Sequence, residues 1–186
     1  MKAIIYEGFG SPDVLKCGDI EKPVPGDDEV LIRVRAASLN PLDWKLMKGG
    51  PFLLRLLLGL GKAKVKRPGV DVAGEVEAVG RNAAQFKPGD QVFGTCVGAF
   101  AEYAVSRSAR GLKSALVLKP DNLTYEQAAS APVAALTALQ GLRDKARIEA
   151  GQKVLVNGAA GGVGTFAVQI SSSRSARMSP ACAHGM

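Results

Sequence analysis

The stretch Lys153-Val154-Leu155-Val156-Asn157-Gly158-Ala159-Ala160-Gly161-Gly162-Val163-Gly164-Thr165-Phe166-Ala167-Val168-Gln169-Ile170 decides the fold. It opens on a short apolar run of the kind that fills buried parallel strands. A glycine-rich turn follows at once, and the small and apolar residues after it suit a helix packed on a sheet. This order of strand, tight turn and helix is what gives the glycines meaning. Ala159, Gly161 and Gly164 occupy the three positions of the Gly-x-Gly-x-x-Gly pattern, with alanine at the first. Gly161 has no side chain to hold a diphosphate away from the backbone, and Gly164 lets the helix lie close to its strand. The unpaired amides and the dipole at the helix start supply partial positive charge, so no lysine is needed. The candidate dinucleotide-binding residues are therefore Ala159, Ala160, Gly161, Gly162, Val163 and Gly164. Gly158 allows an overlapping Gly-x-x-Gly-x-x-Gly reading, and the absence of a following Gly-Lys-Ser/Thr argues against a nucleoside-triphosphate loop. A purely structural glycine turn is the competing reading.

Upstream of this unit the chain changes from helix to strand. Thr124-Tyr125-Glu126-Gln127 begins a helix with Thr124 as its cap, residues 128–139 are mostly small helix formers interrupted by Pro132, and residues 141–147 continue as a short helix. Before residue 121 the signals are β. Residues 3–6 and 14–17 flank Gly8-Phe9-Gly10-Ser11-Pro12 and read as a hairpin. Residues 29–37 alternate apolar and polar side chains, as a half-buried antiparallel strand does, and residues 71–79 show a related pattern. Pro88-Gly89-Asp90, residues 91–94 and residues 99–105 add turns and strands at the short spacing of a barrel.

Composition excludes several classes. The chain has 186 residues, 47% hydrophobic and 22% charged, a profile that supports a packed core. Its formal charge of +7 is not arranged for nucleic acid: Lys62, Lys64, Lys66 and Arg67 form the dense basic run, with no aromatic residues interleaved to stack on bases. No stretch approaches the roughly 20 apolar residues of a membrane span, and Met1-Lys2-Ala3-Ile4-Ile5 carries no signal-peptide pattern, so a cytoplasmic protein is expected. Cys17, Cys96 and Cys182 have neither the count nor the spacing of a disulfide framework and are expected to be reduced thiols.

Further segments carry a resemblance. Gly8-Phe9-Gly10, Ala37-Ser38-Leu39-Asn40-Pro41-Leu42-Asp43-Trp44-Lys45, Pro68-Gly69-Val70-Asp71-Val72-Ala73-Gly74-Glu75-Val76, Phe86-Lys87-Pro88-Gly89-Asp90-Gln91-Val92, Gly98-Ala99-Phe100-Ala101-Glu102-Tyr103 and Leu136-Thr137-Ala138 lie in the order found in the medium-chain dehydrogenases/reductases. The chain resembles their zinc-independent quinone oxidoreductase-like and alkenal reductase members. The resemblance implies an α/β fold, with a GroES-like β-barrel followed by the first strand, turn and helix of an incomplete Rossmann domain. It implies a barrel over residues 1–122, linking helices and the start of the NAD(P)-binding domain over 123–170, and an aberrant, disordered tail over 171–186. It also implies hydride transfer from NADPH, with NADH not excluded, to a small-molecule quinone or α,β-unsaturated carbonyl substrate, in a protein whose full-length relatives are often homodimeric.

The same resemblance names site residues. Asn40 and Asp43 are implied to face the cleft near the nicotinamide, Thr137 to lie near the nicotinamide end of the cofactor, and Lys45 to help polarise or protonate the substrate. Local roles compete with these: Asn40-Pro41 and Asp43 also suit a turn and helix cap, and Lys45 an ordinary surface lysine. Zinc-dependent relatives place a cysteine near Asn40 and a Gly-His-Glu where this chain has Gly69-Val70-Asp71. With no histidine before His184, a tetrahedral Cys/His zinc site cannot be assembled.

Two segments stand apart. Residues 52–60 are leucine-rich and run into the basic cluster, so residues 52–67 combine the two components of weak contact with an anionic membrane surface, or else pack on a pocket or second subunit. After Ile170 the run Ser171-Ser172-Ser173-Arg174-Ser175-Ala176-Arg177-Met178-Ser179-Pro180 lacks the apolar content of a buried strand and reads as disorder. Suitable codons for residues 173–184, read two bases later, spell a sequence of the kind the family places there, so a frameshift or truncation is expected, with a cofactor half-site and little turnover. The alternatives are a non-catalytic binding module on a GroES-like barrel and a fragment of an enoyl reductase domain.

Overall fold

Val30, Ile32 and Val34 alternate along the longest strand of the protein, and the main sheet is built around it. The structure, a computed structural model, describes residues 1–49, 67–107, 116–173 and 177–179. Strands β1 (Lys2–Tyr6) and β2 (Leu15–Asp19) form the expected hairpin, paired antiparallel from Lys2 opposite Asp19 to Tyr6 opposite Leu15. β3 (Glu29–Ser38), β4 (Asp71–Val79), β5 (Gln91–Thr95), β6 (Tyr103–Arg107) and β7 (Leu116–Leu118) form an antiparallel sheet in the order β6-β3-β4-β5-β7. The hairpin is tied to the segment before β6 by a bridge between Ala3 and Ala101 and by the Ile4 amide, which donates to the Phe100 carbonyl at 2.8 Å.

Helix α1 (Pro41–Lys48) follows β3 directly. Its start and stop are written locally: Asn40 is an extended cap residue, Pro41 presets the first helical position, and Gly49 ends the helix at φ 82, a left-handed conformation that glycine adopts without penalty. Both faces of the central strands are covered. Val30, Ile32, Val72, Val76, Val92 and Phe86 belong to one buried cluster. On another patch of the sheet, Ala73 meets Ala128 and Ala129 of α2 (Tyr125–Ser130), with Ala36, Phe93 and Tyr125 packed around them. Alanines there let the helix backbone come close to the sheet. Fully buried Ile32 and Val72 each contribute about 1.5–3 kcal/mol by leaving water, an upper estimate. The expected Thr124 cap is present as a reciprocal pair: Gln127 N–H donates to Thr124 Oγ1 at 3.2 Å and Thr124 N–H to Gln127 Oε1 at 2.9 Å.

The chain divides into two units, Met1–Ser130 and Ala131–Met186, so α2 goes with the barrel rather than with the linking helices expected from residue 123. The second unit contains α3 (Pro132–Leu139), a π-type turn over Gln140–Lys145, β8 (Lys153–Leu155), α4 (Gly162–Ser173) and β9 (Arg177–Ser179). α3 packs against α4. β8 and β9 pair in parallel, with Lys153 opposite Arg177. The strand, turn and helix expected around the glycines are thus present.

The short helix expected over residues 141–147 is found as a π-helix over Gln140–Lys145, in which the Ala146 amide reaches back to the Gly141 carbonyl at 2.9 Å, and Arg147 follows at φ 49. Two expectations need correction. The run 153–157 is not a buried strand, because Leu155 is 70% exposed and Lys153 is exposed. Of the tail expected to be disordered, Ser171–Ser173 instead continue α4 and Arg177–Ser179 pairs with β8, and the remaining residues of 171–186 lie outside the described ones. Ser172 and Ser173 hydroxyls donate to the carbonyls of Val168 and Ile170, and strand pairing uses backbone groups that every residue carries. The segment 52–67 lies outside the described residues apart from Arg67. Among those described, no helix is long and apolar enough to cross a membrane.

Candidate functional site

In the second unit the glycine turn is a surface feature. Gly158, Ala160, Gly161 and Gly162 are exposed, Ala159 is half-buried, and Gly164 is buried. The turn is closed by the Gly161 amide, which donates to the Gly158 carbonyl at 3.0 Å, and the helix is started by the Thr165 amide on the Gly161 carbonyl at 2.9 Å. Gly164 is fixed by sterics: a Cβ there would sit 2.7 Å from Ala159 Cα and 2.9 Å from its carbonyl carbon. At Gly162 a Cβ would meet nothing within 4 Å, and at Gly161 only the Gly158 oxygen at 3.3 Å. Little lies where a side chain at Gly161 or Gly162 would go, and a helix start leaves its first amides without intrahelical acceptors. Such a cradle fits a phosphate, and a side chain at either position would intrude on it. Thr137, on α3, is exposed and its hydroxyl donates to the Val133 carbonyl at 2.6 Å, so its local bond is to its own helix.

In the first unit Asn40 and Asp43 are brought together with Asp71, a residue of the resembling segment that the sequence did not single out as part of a site. Antiparallel register places Ser38, at the end of β3, opposite Asp71, at the start of β4, and Asn40 follows two residues later. Asn40 Nδ2 donates to Asp71 at 3.0 Å and to Ser38 Oγ at 3.2 Å, and the Ser38 hydroxyl donates to Asp71 at 3.1 Å. Asp71 is fully buried in a strand otherwise made of Val, Ala, Gly and Glu, and that lone carboxylate at a buried strand start was the available signal. Asp43 accepts the Asn40 amide at 2.8 Å and the Gly69 amide at 3.2 Å. The local capping role is therefore made in full, whatever else these residues do. Burial pushes the Asp43 carboxyl above the ordinary carboxylate range, against the opposing pull of the backbone amides of Asn40, Gly69, Asp43 and Val70. Tyr6, nearby, is pushed up by burial and by the Asp43 charge.

Lys45 lies on the exposed side of α1, whose buried residues are Asp43 and Met47. A cleft of about 70 Å³ is lined by Tyr6, Asp43, Leu46, Gly69 and Cys96 among others, room for ordered water rather than a substrate ring. A larger one, about 370 Å³, is lined by Val24, Val97, Arg67 and Arg107 among others. Asn40 lines neither. Cys96 is held as a neutral thiol: burial, with the Asp71 charge next, pushes it up to about 12. Among the described residues no group of three His, Cys, Asp or Glu side chains is placed to hold a metal.

Residues 26–117 match the alcohol dehydrogenase GroES-like domain. The chain is 40% identical over 173 residues to a quinone oxidoreductase of Homo sapiens, covering 91% of this chain and 49% of that protein. Among solved structures, it is similar to the quinone oxidoreductase from Coxiella burnetii, with a TM-score of 0.82 and 34% identity over 96% of this chain and 55% of the other. A mycobacterial protein in complex with NADPH gives a TM-score of 0.81 and 32% identity, covering 96% of this chain and 50% of the other. The chain spans about half the length of the curated relatives it matches. Residues 26–117 thus belong to the alcohol dehydrogenase GroES-like domain family, and the chain is similar to quinone oxidoreductases over about half of their length.

Proposed function

We propose that this chain carries the first half of an NADPH-dependent oxidoreductase, without zinc, that reduces quinones or activated alkenes such as enones and enals. The observation that carries this reading is the cradle over Gly161 and Gly162 at the start of α4, kept open while Gly164 is closed against the turn. Bare backbone and first-turn amides there suit the diphosphate of a dinucleotide, which is more than a structural turn needs. The likeness to a protein complexed with NADPH supports that cofactor, with NADH as the alternative. Bound NADPH supplies a hydride.

The chain's own residues bind and orient. In this reading Ala159, Ala160, Gly161, Gly162, Val163 and Gly164 hold the diphosphate, Thr137 lies toward the nicotinamide, and Asn40 and Asp43 shape the reactive end, with Lys45 nearby. Holding donor and acceptor in contact supplies much of the rate advantage in such reactions. Where zinc-dependent relatives carry metal ligands, Asn40 and Asp71 are instead engaged with each other. In this reading the substrate is a small molecule, the location is cytoplasmic, and the full-length protein is a homodimer, as the family's members often are. A fluorescence titration with NADPH, run beside NADH, tests the reading. Saturable binding is expected, and a folded barrel without any response would leave a non-catalytic binding module as the better account.

A further inference from the structure

Arg67 carries a charge that the protein does not answer. It is half-buried, four residues before β4, yet among the described residues no carboxylate pairs with it. The residues outside that set, 50–66, 108–115, 174–176 and 180–186, contain no aspartate or glutamate, so none of them brings an acidic side chain. The stem of Arg67 is seated against Gly98: at φ 90, a Cβ on that glycine would lie 3.0 Å from Arg67 Cβ and 3.5 Å from its Cδ. Packing of the stem, and not a salt bridge, therefore holds the side chain. Arg67 lines the cavity of about 370 Å³, where Arg107 is a second cation. Glu29 is the acid of the same wall, and its carboxylate already accepts the Gly26 amide at 2.9 Å. Two arginines and one glutamate leave a single positive charge. The rest of the wall, Cys96 apart, is apolar: Pro23, Val24, Val97 and Val105. Val24 is 87% exposed and Val97 64%, so large apolar side chains stand in water beside that charge.

We propose that this cavity is a binding site for a small organic carboxylate with an apolar body, anchored by Arg67. A guanidinium presents a planar fork of N–H donors that matches the two oxygens of a carboxylate, and a monoanion cancels the one charge left over by the wall. The valines take the apolar body, and both surfaces leave water. The volume suits such a ligand, since small-molecule sites run from about 300 to 1,000 Å³. Inorganic phosphate has charge but nothing for the valines, and a neutral apolar molecule leaves the guanidinium unanswered. The site belongs to the first unit and uses none of the residues assigned to the cofactor, so it stands apart from the reductase reading.

Cyclohexanecarboxylate is a suitable probe, titrated into the ¹⁵N-labelled chain near neutral pH and followed by amide chemical shifts. Saturable shifts are expected at Val24, Val97 and Val105, with binding about tenfold or more tighter than that of cyclohexanecarboxamide or of inorganic phosphate. Arg67→Gln, which keeps a polar chain and removes the charge, is expected to weaken the carboxylate about tenfold and to leave the carboxamide unchanged. The absence of saturable shifts at these residues overturns the proposal. So does a carboxamide or a phosphate that binds as tightly as the carboxylate, or a folded Arg67→Gln that binds the carboxylate undiminished. If Arg67→Gln fails to fold, the comparison of carboxylate with carboxamide in the wild-type chain carries the test. A failure of NADPH to bind would count against the reductase reading and not against this site.

Discussion

Gly164 and Ala159 are in backbone contact: a Cβ on Gly164 would sit 2.7 Å from Ala159 Cα. The helix start is thereby pressed onto the turn that precedes it. Gly161, three residues earlier, has only the Gly158 oxygen near the same hypothetical atom, at 3.3 Å. One glycine serves the fold, and the other leaves room for something outside it.

Alanine substitutions separate these roles. Gly164→Ala is expected to destabilise the second unit by about 1–3 kcal/mol, because the overlap is with backbone that cannot rotate away. Gly161→Ala is expected to change stability by no more than about 0.5 kcal/mol and to weaken NADPH binding by about tenfold or more. Thermal unfolding and fluorescence titration of both variants check this, and equal effects on stability would contradict it.

Asp43 gives a pH dependence with a definite sign. Its folded-state pKa is raised, mainly by burial, so the folded protein holds this proton more tightly than the unfolded chain does. Its contribution to stability is full below the ordinary carboxylate value and is lost as pH rises through the raised one. Urea unfolding of wild type and Asp43→Asn across the acid range is expected to show that component only in the wild type. A component that grows with rising pH would contradict the assigned direction.

Cys96 is expected to be inert. With its pKa pushed up to about 12, only about one thiol in ten thousand is ionised near pH 8, and the thiolate is the reactive form. Alkylation followed by peptide mass spectrometry should label exposed Cys17 and spare Cys96 until the chain is unfolded. Equal labelling of the two in the folded protein would contradict the burial of Cys96.

Leu155 and Ile32 are expected to differ despite similar size. Ile32→Ala, at a fully buried position, should cost about 2–5 kcal/mol. Leu155→Ala, at a position 70% exposed, should fall within about 0.5 kcal/mol. Urea unfolding of each variant decides it, and a large loss at Leu155 would show that this side chain is covered in solution.

That contrast also marks where sequence reading ends. The Thr124 cap, the Pro41 helix start and the β1–β2 hairpin were legible because their chemistry lies within a few residues. So was the strand, turn and helix around Gly161, since glycine spacing is itself a backbone statement. The exposure of Leu155 was not, because burial depends on neighbours and not on the residue's own hydrophobicity. Pairing of Arg177–Ser179 with β8 was hidden for a related reason: backbone groups make that pairing, and apolar content does not announce it. The bond between Asn40 and Asp71 spans 31 positions and needs the β3–β4 register, which no local pattern supplies. Asn40 and Asp43 were found as candidates, but the buried Asp71 carboxylate that accepts from Asn40 was not.

The central claim is that a diphosphate rests on the start of α4. Titration of the ¹⁵N-labelled protein with NADPH, followed by amide chemical shifts, tests it most directly. The account predicts saturable shifts largest at the backbone amides of Gly161, Gly162, Val163 and Gly164. No saturable shift, or a set centred on another part of the chain, would contradict it.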